Sequence, residues 1–94
     1  MVVWTATARN SLKQIHDFIA LDSKYYAREV VDNILNLADE LNTFPSRGRV
    51  VPERNQPSLR ELFLYSYRII YRIDEKDIFI LTVLHGKRNF PTSI

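Results

Sequence analysis

Near its C-terminus the chain passes through Ile78, Phe79, Ile80, Leu81, Thr82, Val83 and Leu84, then breaks into His85-Gly86-Lys87-Arg88-Asn89-Phe90. An apolar run of this kind reads as a buried strand. Cationic side chains at its exit are then either a solvated strand end or a site for phosphate or an acidic partner. A second source of cations lies upstream, in Tyr67 to Ile73. Strand alternation places Tyr67, Ile69, Tyr71 and Ile73 on one face and Arg68, Ile70 and Arg72 on the other. If Ile69 and Tyr71 face the core, Arg68 and Arg72 project from the open face, and a sharp turn at Gly86 lets Arg88 approach them. The expected product is a shallow cationic concavity, with Tyr65 and Tyr67 as aromatic neighbours; a base stacked on one such ring is worth roughly 1–3 kcal/mol. The competing structural reading has Arg68 and Arg72 flanking solvent or pairing with Glu61 and Asp77 across the sheet.

Composition narrows the chemistry. Ninety-four residues are enough for one small domain and one two-layer core. Without cysteine, neither disulfides nor thiolate nucleophiles are available. His16 and His85 are the two histidines and stand in no close cluster of metal-ligand residues, so no metal site and no cofactor are expected. No signal pattern and no bilayer-length apolar run is visible, and the protein is expected to be soluble, cytoplasmic and free of membrane contact. The net charge of +2 conceals a split. Residues 1–46 hold four cations against six anions, and residues 47–94 hold nine against five, seven of the nine being arginine. Arginine suits bidentate contact with phosphate or carboxylate, so the second half is expected to meet an acidic or polyanionic partner.

The elements that must position these groups follow from periodicity. Val2 to Thr5 reads as a first strand. Ala8, Leu12, Ile15, Phe18 and Ile19 recur at helical spacing to about Leu21, with Thr5 or Thr7 as N-cap. Ser23 caps a second helix with Ala27, Val30, Val31, Ile34, Leu37, Ala38 and Leu41 on one stripe, ending near Thr43. Trp4 and Phe18 are expected to anchor the core, and Tyr25 and Tyr26 to cap a sheet edge. The proline-rich segment from Phe44 to Ser58 reads as loop. Leu59–Leu64, Tyr67–Ile73 and Ile78–His85 read as strands, the last interior because it is apolar on both faces. The fold class is therefore α+β, in the order β-α-α-β-β-β. A helical hairpin is expected to pack on one face of a mostly antiparallel, four-stranded sheet.

This order of elements, together with Trp4, the loop from Phe44 to Glu53, Leu59 to Leu62, Tyr67 to Ile73 and Val83 to Pro91, resembles the RelE/ParE superfamily of toxins from type II toxin–antitoxin systems. The match spans essentially the whole chain, so residues 1–94 are expected to form a single toxin domain. The resemblance implies a cognate antitoxin that is acidic and partly disordered when free, and a possible toxin–antitoxin hetero-oligomer. It also implies one of two activities. RelE-like members cut messenger RNA on the ribosome, and in that case Glu53 matches a base, His85 an acid, and Arg68 and Arg88 the phosphate-binding cations. ParE-like members lack this set and poison DNA gyrase. The strand before Arg68 here carries Leu59, Arg60 and Glu61 instead of the RelE branch's lysines, and no tyrosine follows Arg88. The terminal pattern from His85 through Arg88 to Phe90 is similar to the ParE branch, which is the expected assignment. Target- or RNA-binding contacts are then expected from Arg60, Tyr67, Arg68, Arg72, Lys87 and Arg88.

Overall fold

A computed structural model describes residues 1–86, Arg88, Phe90 and Pro91; Lys87, one of the expected contact residues, lies outside the described residues. The chain order is β1 (Val2–Trp4), α1 (Ala6–Ala20), α2 (Lys24–Asp39), a 3-10 turn (Glu40–Asn42), β2 (Arg49–Val50), β3 (Leu59–Leu64), β4 (Tyr67–Asp74) and β5 (Asp77–His85). The sheet has five strands in the order β1-β5-β4-β3-β2. β1 runs parallel to β5, and every other pair is antiparallel. The α+β class and the helical hairpin are as the sequence implies, but the four-stranded count is corrected. The extra strand is β2, inside the segment read as loop. It is a two-residue edge strand, where the flanking prolines do not interrupt an interior ladder.

Local chemistry sets the helix boundaries. Thr5 is the N-cap of α1, its side chain accepting from the Ala8 amide at 3.2 Å. The same hydroxyl donates to the Ile80 carbonyl at 2.8 Å, which ties the start of α1 to β5. Ser23 caps α2 by accepting from the Tyr26 amide at 3.1 Å. The short connection between the helices makes them an antiparallel hairpin. Their inward stripes meet Leu62 of β3, Ile69 and Tyr71 of β4, and Ile78, Ile80 and Val83 of β5 in the main core. Trp4 packs at the edge of this core. Phe18 does not, being 73% exposed where the end of α1 runs out over the ends of β4 and β5. Tyr25 and Tyr26 are also exposed, at the first turn of α2. No helix among the described residues is long and apolar enough to cross a membrane.

The sheet's other face has its own small core of Val51, Leu59 and Ile70, covered by Leu81, Leu84 and Phe90. One irregularity in β5 decides which side chains reach it. Tyr71 pairs with Ile80, but Ile70 pairs with Thr82, so Leu81 is left without a partner on β4. Bulges of this kind re-aim everything beyond them. Thr5 also donates to the Leu81 carbonyl at 3.3 Å, and the Ser11 and Thr82 hydroxyls are 3.0 Å apart. α1 therefore holds the bulge in place.

Candidate functional site

Arg68 sits at the centre of the open face, opposite Phe63 of β3 and Leu84 of β5, and is only 6% exposed. A guanidinium this buried requires acceptors on its donors. Glu61 of β3, 1% exposed, supplies one carboxylate: its Oε1 accepts from Arg68 Nε at 2.8 Å and Nη2 at 2.5 Å. Its Oε2 accepts from Arg49 Nε at 2.6 Å. Glu53, on the loop after β2, supplies the second carboxylate. Its two oxygens accept from Arg68 Nη1 and Nη2, each at 3.1 Å, in the fork-to-fork geometry that arginine and carboxylate favour. Charge thus alternates along Arg49, Glu61, Arg68 and Glu53.

The electrostatics follow from these bonds. The hydrogen bond from Arg68 holds the Glu53 carboxyl below its ordinary value of 4.5. Reciprocally, the hydrogen bond to Glu53 keeps Arg68 more firmly protonated. A carboxylate whose proton affinity is lowered and whose two oxygens are both engaged is a weak proton acceptor.

Gly86, Arg88, Phe90 and Pro91 stand beside this network. Phe90 packs on the small core and stands between two guanidinium groups, Arg54 at 5.4 Å and Arg68 at 5.8 Å from its ring centre. Arg54 also donates to the Pro91 carbonyl at 3.5 Å. Gly86 makes the turn possible by close approach, without a positive φ. Its amide donates to the Ser66 carbonyl at 2.6 Å, and an added Cβ would lie 3.3 Å from that oxygen. Glu53, Arg54, Arg68, Arg88 and Phe90 line an open cleft of about 660 Å³.

The bulge sends His85 elsewhere. It pairs with Tyr67, and the two rings meet edge to face with centres 6.1 Å apart. Tyr67 packs against the helix-side core, so this pair lines a separate groove of about 480 Å³ with Gln14, Ile15 and Phe18 of α1. Arg88 borders both spaces. The expectation that the exit at His85 joins Arg68 on the open face is therefore corrected for His85, while Tyr67 lies on the face opposite Arg68, as strand alternation places it. A register step in β5 carries His85 to the helical side.

The remaining expected residues are distributed as follows. Arg60 donates to the carbonyls of Pro57 at 2.9 Å and Gly48 at 2.9 Å, fastening the loops on either side of β2, and is not among the residues that line the cleft. Arg72 is exposed on the open face, 5.9 Å from the Phe79 ring centre. Its suggested partner Asp77 instead stands 3.6 Å from the N-terminal ammonium. The suggested alternative partner of Arg68, Glu61, is one of its two actual partners. Arg49 and Arg54 were not singled out by sequence reasoning. Their positions in a proline-rich loop carry no periodic signal, and only the abundance of arginine there hinted at them.

The comparisons with known proteins agree with this architecture. The family model described as the ParE toxin of the type II toxin-antitoxin system parDE matches residues 2–90. A Caulobacter vibrioides protein, Toxin RelE2, is 32% identical over 88 residues, covering 93% of this chain and 96% of its own. Among solved structures, the chromosomal ParDE toxin–antitoxin system of P. aeruginosa matches with a TM-score of 0.76 and 25% identity, covering 92% of this chain and 95% of that one. The toxin–antitoxin complex RelBE2 of Mycobacterium tuberculosis matches with a TM-score of 0.65 and 26% identity, covering 90% and 95%. The chain belongs to the RelE/ParE superfamily and is a ParE-family toxin of a type II toxin–antitoxin system.

Proposed function

We propose that this toxin arrests growth as ParE-like proteins do, by engaging DNA gyrase, without cutting RNA, and that a cognate antitoxin neutralises it in the cytoplasm. One observation carries this reading: the groups that RNA cleavage would need do not converge. Cleavage by a ribose hydroxyl requires a base and an acid on either side of one phosphate. Glu53 has both oxygens on the Arg68 guanidinium, and His85 lines a different groove with Tyr67. The cations Arg68 and Arg88 remain together in the cleft, which suits binding better than proton transfer.

An antitoxin fits the helical hairpin. Trp4, Leu12, Val31 and Leu35 line an apolar groove of about 500 Å³, with Arg9 and Lys13 among its walls. Such a groove takes the apolar side of an amphipathic segment whose acidic residues meet the two cations. The two solved relatives are described as toxin–antitoxin assemblies, which supports a hetero-oligomer here as well.

The ribonuclease alternative draws support from the relative called Toxin RelE2 and from the shared cleft of Arg68 and Arg88. Induction in cells separates the two readings. Filamentation with DNA-damage signalling is expected, and ribosome-bound messenger RNA should stay intact. A clean cut in the ribosomal A site, lost in His85→Gln or Glu53→Gln, would replace the gyrase reading with the ribonuclease one.

A further inference from the structure

Arg68 carries two carboxylates of different kinds. Glu61 is fully buried on a sheet strand and also binds the more exposed Arg49, so it cannot leave without taking the inner partner from the buried Arg68 guanidinium. Glu53 stands on the loop between β2 and β3, its side chain 40% exposed, and touches only the outer edge of the guanidinium, Nη1 and Nη2. Asn55, two residues on, has a φ of 53°, so this loop is built around a left-handed turn and not around a ladder. We propose that Glu53 is a built-in plug: it fills a carboxylate site on Arg68 that an acidic side chain of a protein partner takes over by exchange, with Glu61 as the fixed positioning residue that keeps the guanidinium aimed at the cleft.

Three features argue for exchange over a permanent pair. With Glu53 swung out, Arg49, Glu61 and Arg68 leave one net positive charge, and Arg88 borders the same cleft. Glu61 still holds Nε and Nη2, so the outer edge keeps its orientation without the plug. The geometry is also matched to a carboxylate, since two equal 3.1 Å bonds from Nη1 and Nη2 to two oxygens are what any Asp or Glu side chain would reproduce. The inference rests on the reading above that the cleft of Arg68 and Arg88 is a binding site, but its test does not involve antitoxin, gyrase or toxicity.

The test compares wild type with Glu53→Gln for binding of hexaglutamate and of a short single-stranded oligonucleotide of equal charge, by calorimetry at low salt. Arginine side-chain NMR follows the Arg68 Nη protons. Removing the plug is expected to tighten hexaglutamate about tenfold, the scale of one charge-assisted contact regained. The Arg68 signals should move on titration in the variant and hardly at all in wild type. Glu53→Asp, whose shorter arm weakens the clasp, should fall between the two and serves if Glu53→Gln folds poorly. Equal affinity in all three proteins would overturn the proposal. So would a larger gain for the oligonucleotide, which would assign the site to phosphate.

Discussion

The face of the sheet under the helices is filled with aliphatic side chains. Ile34, Leu41, Ile69, Ile78 and Ile80 are all buried there, and the Tyr71 hydroxyl donates to the Pro45 carbonyl at 2.7 Å and accepts from the Gly48 amide at 2.9 Å. Among the described residues, no helix lies over the opposite face. It covers a few aliphatic residues with Phe90 and sets four arginines against three phenylalanine rings: Arg49 on Phe63, Arg54 and Arg68 on Phe90, and Arg72 on Phe79. One face is held by dispersion and solvent exclusion, the other by charges that must be paired. Buried ion pairs are demanding because loss of one partner leaves the other uncompensated. The lesson is that the open face is held in a defined geometry by partners that a ligand could also supply.

Substitutions can break this contrast in order of severity. Glu61→Ala should be the most damaging on the open face, costing about 3–5 kcal/mol because Arg68 and Arg49 both lose a buried carboxylate; urea unfolding checks it. On the helical face, Ile34→Ala should cost about 2–5 kcal/mol by leaving a cavity. A cost for Glu61→Ala below 1 kcal/mol, roughly that of a surface pair, would erase the distinction between the faces. Tyr71→Phe comes next, at about 1–3 kcal/mol, since the buried Gly48 amide and Pro45 carbonyl lose their partner. Loosening of the 44–48 loop should appear in hydrogen exchange.

The pH response sharpens the comparison further. Glu53 has a folded pKa below its ordinary value, so its contribution is complete above 4.5 and is lost as pH falls through the folded value. Wild-type stability should therefore drop on acidification more steeply than that of Glu53→Gln, whose clasp has no proton to gain. Equal slopes for the two would mean the clasp does not persist in solution. At neutral pH the substitution itself should cost under about 1 kcal/mol, because the pair is open to water on one side. Smallest in stability is Arg88→Ala, within about 0.5 kcal/mol as for most surface changes. It should nevertheless abolish toxicity, whereas His85→Gln should leave toxicity nearly intact, as growth after induction would report. Retained toxicity in Arg88→Ala would remove the open cleft from the mechanism.

Much of this protein was determined by the sequence alone. The helical stripes through Ala8 and Leu12 and from Ala27 to Leu41, the caps at Thr5 and Ser23, and the period-two runs of β3 and β4 are local patterns that decide which side of each element is apolar. They also separated Arg68 from Ile69 and Tyr71. What only the tertiary structure decided lies at longer range. The bulge at Leu81 depends on Thr5 and Ser11, more than seventy residues away in the chain, and it turned His85 from the arginine face to the helical one. β2 exists because β3 offers it an edge, and because Gly48 lacks a Cβ that would stand 2.6 Å from the Glu61 carbonyl. Glu61 and Glu53 meet on one guanidinium only after a strand and a loop, separated by sequence, are folded against β4. Local periodicity reports which face a side chain takes, while pairing register and charge partners are set by whatever other segments arrive alongside it.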